Sequence, residues 1–356
     1  MKNTTKRLLA VLSASILSVG LLAGCGASSQ QAASADAGSS GSGGSSSAEV
    51  TEFTAYGVLD PQISAQQIIA DKNGYFAEEG LTVTNQLLQS GTDISPLVSS
   101  GDAQVSFEST YTCISLAAND VAIKALSCTS DSGDTQSVVV RNAANIQSAA
   151  DFEGKKIGIS NGAAVMLAIR NMCEELDVDY DAIEFVYMNP SDQIAAFERG
   201  DIDAMACWEP WVSRAVALDG TLLFTGLNSY IPGAEGEVNW LNFNSTVQVT
   251  DEFLAENPTT CQKLLRALAK ATDFINENKE EAAAIIAEAI NQDEEDVLAI
   301  MNKNVYKMNF DQNFIDASNS MAAFMLDMGN ITEQPSFETF ADSSMLQEAV
   351  PELVEE

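Results

Sequence analysis

Residues 196–212, AFERGDIDAMACWEPWV, constrain the fold more than any other stretch of the chain. Gly200-Asp201 supplies a turn. Residues 202–208 then form a mainly apolar run of seven, the length of a buried strand. The run ends at Trp208-Glu209-Pro210-Trp211, where Pro210 suits the first turn of a helix. Open α/β sheets build ligand sites where a strand runs out into a helix N-terminus. Here an aromatic ring and a carboxylate stand at that junction.

Residues 99–111, SSGDAQVSFESTY, repeat the pattern more loosely. Gly101-Asp102 makes the turn, an apolar-leaning strand follows, and Phe107-Glu108 closes it. Glycine to glutamate is seven residues in this copy and nine in the other. The pairing suggests two similar halves facing each other, although any protein of alternating strands and helices repeats such turns.

The N-terminus sets the expected compartment. Lys2, Lys6 and Arg7 precede an apolar run over residues 8–22, the length of a signal-peptide core rather than of a membrane span. It closes on Leu22-Ala23-Gly24-Cys25, which resembles a bacterial lipobox. Residues 1–24 are then a lipoprotein signal peptide and Cys25 the lipid-bearing residue. Residues 26–48 are almost entirely Ser, Gly, Ala and Gln, and segment 25–49 reads as a flexible tether. The remaining length, about 300 residues, suffices for two lobes.

Charge and composition then remove whole classes of function. Three of the 17 basic residues and none of the 51 acidic ones lie in the leader, so the mature chain carries about −37. Nucleic acid and anionic membrane surfaces would repel it. The chain has no histidine. That removes the commonest general base, every Ser-His-Asp or Cys-His nucleophile and the usual zinc sites. Five cysteines follow Cys25 (Cys113, Cys128, Cys173, Cys207 and Cys261) with no CxxC pair. Cys113 and Cys128 could bridge, but buried thiols are the expectation. No metal site and no cofactor are expected.

Along the body, strands are expected at residues 51–59, 82–88, 103–107, 121–129, 137–140, 157–159, 185–188, 202–208, 222–224 and 244–250. Helices are expected between them and, after 250, to near the end. Asp93, Asp251, Thr259 and Asp311 are candidate helix starts. The alternation predicts an α/β fold with a parallel-rich sheet and helices on both sides.

Five phrases in this order resemble one family: GYFAEEGL, SSGDAQVSFES, DFEGKKIGIS, FERGDIDAMACWEPW and DEFLAENPTTCQKLLRALAKATDFI. The family is the solute-binding lipoproteins of ABC importers for aliphatic sulfonates, taurine, nitrate and thiamine-pyrimidine precursors. The resemblance covers nearly all of residues 50–351. It implies a type II periplasmic-binding-protein fold, two lobes with a ligand cleft and two hinge crossings. Lobe one would be residues 50–140 plus 241–356 and lobe two 141–240, with crossings near Val140 and Trp240.

Four loops would line the cleft. Asp60-Pro61-Gln62-Ile63-Ser64 offers Gln62 and Ser64. The second offers Glu108, Ser109, Thr110 and Tyr111. The third is Ser160, Asn161, Gly162, Ala163 and Ala164, and the fourth brings Trp208 and Glu209. Free N–H groups and hydroxyls at helix starts would suit a sulfonate or carboxylate without an arginine. The family often ends its Ser/Thr-rich turn in a histidine where this chain has Asn161-Gly162-Ala163-Ala164, which weighs against an ordinary sulfonate. Glu108 and Glu209, facing each other from opposite lobes, would repel unless a cation or protonated nitrogen lay between them. Trp208, Tyr111 and Phe107 could stack on a flat ring.

Each residue also has a structural alternative. Trp208 could be core, Glu209 a helix-dipole partner, Glu108 a solvated rim residue, and Ser109 and Asn161 only caps. Trp240 fits hinge packing. The resemblance therefore implies a receptor and not an enzyme. It would capture a small organic solute, sulfonate- or taurine-like or pyrimidine- or amine-like, and deliver it to permease subunits served by a cytoplasmic ATPase. A monomer, lipid-anchored at Cys25 on the extracytoplasmic face of the cell membrane, is expected. The alternative is an enzyme on the same scaffold. Relatives that make a thiamine pyrimidine use a histidine of their own, which this chain lacks. A hydrolase working through Glu108 and Glu209 is the remaining enzymatic option.

Overall fold

The computed structural model describes residues 48–354. The expected signal peptide, Cys25 and most of the tether lie outside the described residues. The described chain opens on the long helix Pro258–Glu277, to which Val50 N and Thr260 Oγ1 tie it through Asn257 Oδ1 and Val50 O, at 2.7 Å each.

Among the described residues, thirteen strands form two sheets. In chain order they are β1 (Glu52–Val58), β2 (Thr82–Leu88), β3 (Val105–Ser109), β4 (Ile123–Asp131), β5 (Gln136–Arg141), β6 (Lys156–Ile159), β7 (Glu184–Tyr187), β8 (Ala204–Trp208), β9 (Gly220–Thr225), β10 (Asn228–Ser229), β11 (Gly236–Glu237), β12 (Asn244–Thr250) and β13 (Val305–Tyr306). The first sheet has the order β13-β4-β12-β3-β1-β2 and the second β11-β10-β9-β5-β8-β6-β7.

The two expected α/β lobes are each built on a mixed sheet. Each holds a parallel trio, β3-β1-β2 and β8-β6-β7. Each trio is flanked by an antiparallel strand that has crossed from the other half of the chain, β12 beside β3 and β5 beside β8. The strand equivalence matches the two sequence copies, because β3 and β8 are the strands that follow Gly101 and Gly200. Both glycines end a helix in the left-handed region, at φ +83° and +82°, a conformation that disfavours residues with a Cβ.

The first crossing falls between β4 and β5, around Gly133–Thr135, and not near Val140, which sits inside β5 of the second sheet. β-branched Val138, Val139 and Val140 are all buried there, which seats them in the sheet rather than in a hinge. The second crossing runs between β11 and β12 and contains Trp240. Trp240 is buried, packs edge-on against Phe224 at 5.1 Å and donates from Nε1 to Glu175 Oε2 at 2.8 Å. Such an aromatic pair adds about 0.5–1.5 kcal/mol beyond area burial, so Trp240 packs the crossing.

The C-terminal helices Pro258–Glu277, Lys279–Ile290 and Gln312–Asp327 bury their apolar faces in the larger core. Asp311 caps the last through Phe314 N, as its position suggests. Helix Asp251–Glu256 is capped by Thr250 rather than Asp251, and helix Gly91–Ser100 by Ser90 rather than Asp93. In both, the hydroxyl sits one or more residues earlier, where the backbone is still extended. All five cysteines of the described residues are buried free thiols.

Candidate functional site

A cavity of about 380 Å³ opens where the carboxyl ends of both parallel trios meet. Its walls come from both sheets. From the first come Asp60, Gln62, Ser109 and Tyr111, and from the second Ser160, Asn161, Gly162, Ala163, Ala164 and Trp208. The turns around Ser109 and Asn161 thus share one void. The halves approach closely: a Cβ at Gly162 would lie 3.3 Å from the Tyr111 hydroxyl, and Gly162 holds φ +73°.

The loop after β1 is fixed from several sides. Asp60 Oδ1 accepts from Gln62 N at 2.9 Å and Ile63 N at 2.8 Å. Tyr306 OH donates to Pro61 O at 2.6 Å and Ser130 Oγ to Gln62 O at 2.7 Å. So held, Gln62 reaches the other half, where its Nε2 donates to Glu209 O at 2.8 Å. Because a carbonyl only accepts, this bond orients the amide and leaves Gln62 Oε1, a buried acceptor, with no partner. Burial raises the Asp60 carboxyl to about 6, opposed by the two backbone donors.

Four expected site residues lie behind the wall. Ser64 is fully buried and its Oγ accepts from Val58 N at 2.9 Å. Thr110 Oγ1 donates to Asn244 O at 3.1 Å. Glu209 is buried against Lys303, with Nζ to Oε1 at 2.7 Å, while its Oε2 accepts from Ser213 N at 3.0 Å. Glu108 is also fully buried, behind Gly91, where an added Cβ would come within 2.8 Å of its Oε2. The expected carboxylate pair facing across the cleft is therefore absent. Glu209 has its own cation, and Glu108 is turned into the protein rather than toward the rim.

Neither oxygen of Glu108 has a hydrogen-bond partner. Burial pushes its carboxyl well above the usual range, with the neighbouring Thr112 hydroxyl opposing the shift. Phe107, expected as a stacking surface, is core with no exposure. Phe243 and Trp208 line the cavity beside Tyr111, whose hydroxyl accepts from Asn330 Nδ2 at 2.9 Å.

The cavity also uses residues the sequence did not single out. Ser90, Gly91, Thr92, Ser95 and Pro96 come from the loop and helix after β2, and Thr112 and Ser115 from helix Thr110–Ala118. The strand-to-helix pattern that marks β3 and β8 also fits β2, and would have found Ser90 to Thr92. Gln136, Phe243 and Asn330 carry no local signal, since the crossings and the C-terminal segment bring them in. Among the described residues, Asp60 is the only charged side chain lining the cavity, and no group of three or more Cys, Asp or Glu could hold a metal ion.

Known proteins share this architecture. The family model described as NMT1/THI5 like matches residues 63–282, more than half of the chain. A putative binding protein of Brucella abortus is 26% identical over 148 residues, covering 41% of this chain and 44% of the relative, so the match spans less than half the length of that relative. A putative aliphatic sulfonates-binding protein of Bacillus subtilis is 22% identical over 291 residues, 80% of this chain and 85% of the relative. An Aspergillus parasiticus 4-amino-5-hydroxymethyl-2-methylpyrimidine phosphate synthase is 24% identical over 276 residues, 74% of this chain and 75% of the relative.

Among solved structures, the alkanesulfonate-binding protein SsuA of Xanthomonas axonopodis pv. citri superposes with a TM-score of 0.69 at 13% identity, over 83% of this chain and 99% of that one. At that identity the likeness establishes the fold, a two-lobed α/β periplasmic-binding architecture with a cleft between the lobes. With its family model, its paired sheets and its shared cavity in agreement, the chain belongs to the NMT1/THI5-like family.

Proposed function

We propose that this chain is the extracytoplasmic solute-binding component of an ABC importer. It captures a small organic solute between its lobes, closes on it and delivers it to the permease. The observation that carries this reading is the single cavity lined by Ser109 and Tyr111 of one lobe and Asn161 and Trp208 of the other. A solute touching both walls binds the closed form better than the open one, and that difference in affinity drives closure. The volume of about 380 Å³ lies at the small end of ligand pockets.

Binding-protein relatives support a receptor rather than an enzyme. The cavity chemistry agrees, because its lining holds one carboxyl group and amides, hydroxyls and aromatic rings, with no nucleophile paired to a base. Export through residues 1–24, lipidation at Cys25, attachment to the membrane by that lipid and a monomeric state belong to the same proposal.

Thermal-shift screening against sulfonates, taurine, nitrate, amines and pyrimidines tests it, with mass spectrometry of each mixture for product. Stabilisation by one or a few solutes without turnover supports the receptor. Turnover, or silence across the whole panel, refutes it.

A further inference from the structure

Each crossing is tied along most of its length to the second lobe. On the first, Gly133 O accepts from Gly226 N at 3.1 Å and Thr135 O from Glu209 N at 3.2 Å. Asp134 Oδ1 accepts from Thr225 Oγ1 at 2.7 Å and from Asn228 Nδ2 at 2.8 Å. On the second, Trp240 N and Leu241 N both donate to Gly226 O, at 2.9 and 3.0 Å. Asn171 Nδ2, from helix Val165–Glu175, donates to Trp240 O at 2.8 Å.

Gly226, just after β9, is the knot that joins the two crossings. A Cβ there would lie 2.4 Å from Leu241 O and 2.7 Å from Gly133 O, and one on Gly133 would lie 2.6 Å from Leu241 O. The obstructing atoms are backbone and cannot swing aside, so only glycine lets these three segments approach so closely.

The ties stop short of the first lobe. Asp131 ends β4 and Asn244 opens β12, and the two pair with each other in the first sheet. Between them and the knot lie Ser132 on one crossing and Asn242 and Phe243 on the other. Ser132 N donates to Phe243 O at 2.8 Å, so here the crossings bond to each other. Asn242 Nδ2 reaches both ways, to Asn239 Oδ1 at 3.0 Å and to Asn313 Oδ1 of the first lobe at 3.3 Å. Gly133 N meets Asp131 Oδ1 only at 3.5 Å.

We propose that the lobes swivel at Ser132 on one crossing and at Asn242 and Phe243 on the other, while residues 133–241 move as one body. Hinges concentrate backbone rotation in a few residues where a rigid unit ends. Phe243 then sets the swivel in the cavity wall, and Gln136, which also lines the cavity, travels with the second lobe. A solute packed on Phe243 touches the moving joint itself. The inference rests on the receptor reading, in which the lobes must move, and deepens it.

Amide hydrogen exchange of the purified protein, resolved by NMR with no solute added, tests it. The amides of Ser132, Gly226, Trp240 and Leu241 are all buried and bonded at 2.8 to 3.1 Å, so packing alone gives them similar protection. Local motion at the swivel opens the Ser132 bond, and its protection factor should be at least about tenfold below each of the other three. A smaller ratio, or a Ser132 amide more protected than any of them, overturns the swivel and leaves the receptor in place. Silence across the solute panel removes the receptor and leaves the exchange result standing.

Discussion

Lys303 Nζ lies 2.7 Å from Glu209 Oε1, and the two residues belong to opposite lobes. Lys303 precedes β13 of the first sheet, and Glu209 follows β8 of the second. The carboxylate is almost wholly buried while the ammonium is about a third exposed, with side-chain exposures of 1% and 36%. With Gln62 Nε2 on Glu209 O, this pair ties the two lobes together outside the cavity lining.

Lys303→Met should therefore weaken the closed state, because it leaves a buried carboxylate uncompensated. Solute release, followed by stopped-flow fluorescence, should accelerate about tenfold, the equivalent of about 1.4 kcal/mol. An unchanged release rate would show that the pair contributes nothing to closure.

Trp208 is half-buried and lines the cavity. Trp208→Ala should lower solute affinity more than tenfold, since about 1.4 kcal/mol is tenfold and an aromatic wall removes at least that. Calorimetry with unchanged affinity would make Trp208 a spacer between the cavity and its surroundings.

Glu108 makes the protein's stability depend on pH. Its folded pKa is raised from 4.5 by burial, so the folded chain holds a proton that the unfolded chain has already lost. Stability is full below about 4.5 and falls as pH rises from there toward the folded pKa. Asp60 adds a smaller decline between 3.8 and about 6. Glu108→Gln removes the first contribution. The difference in melting temperature, variant minus parent, should rise between pH 4.5 and pH 8. A difference independent of pH would contradict the buried neutral carboxyl.

Cys25→Ser should move the protein from the membrane fraction to the soluble one without altering its melting temperature. A variant that stays in the membrane fraction with a diacylglyceryl group would rule out Cys25 as the lipid site.

Much of the fold was legible because it rests on local patterns. The strand 82–88 and the strand 244–250 fall where hydrophobic alternation puts them, and Asp311 caps its helix where its position suggests. The Trp208 and Asn161 loops reach the cavity because strand ends and helix starts define them. What escaped depends on distance in sequence. Lys303 lies 94 residues beyond Glu209, so nothing near Glu209 revealed that its charge was already matched. Glu108 reads from sequence as a cleft-facing carboxylate or a solvated rim residue, because a glutamate is rarely fully buried, and only the packing of Gly91 over it shows otherwise. Val140 reads from sequence as a hinge position because a crossing strand looks like any other strand until its partners β8 and β9 are known.

The most direct test of the central claim is a crystal structure of the protein with the tightest-binding solute of the screening panel. The solute should lie in the cavity, touching Tyr111 or Ser109 on one side and Asn161 or Trp208 on the other. A solute bound to one lobe alone, or outside this cavity, would contradict the account.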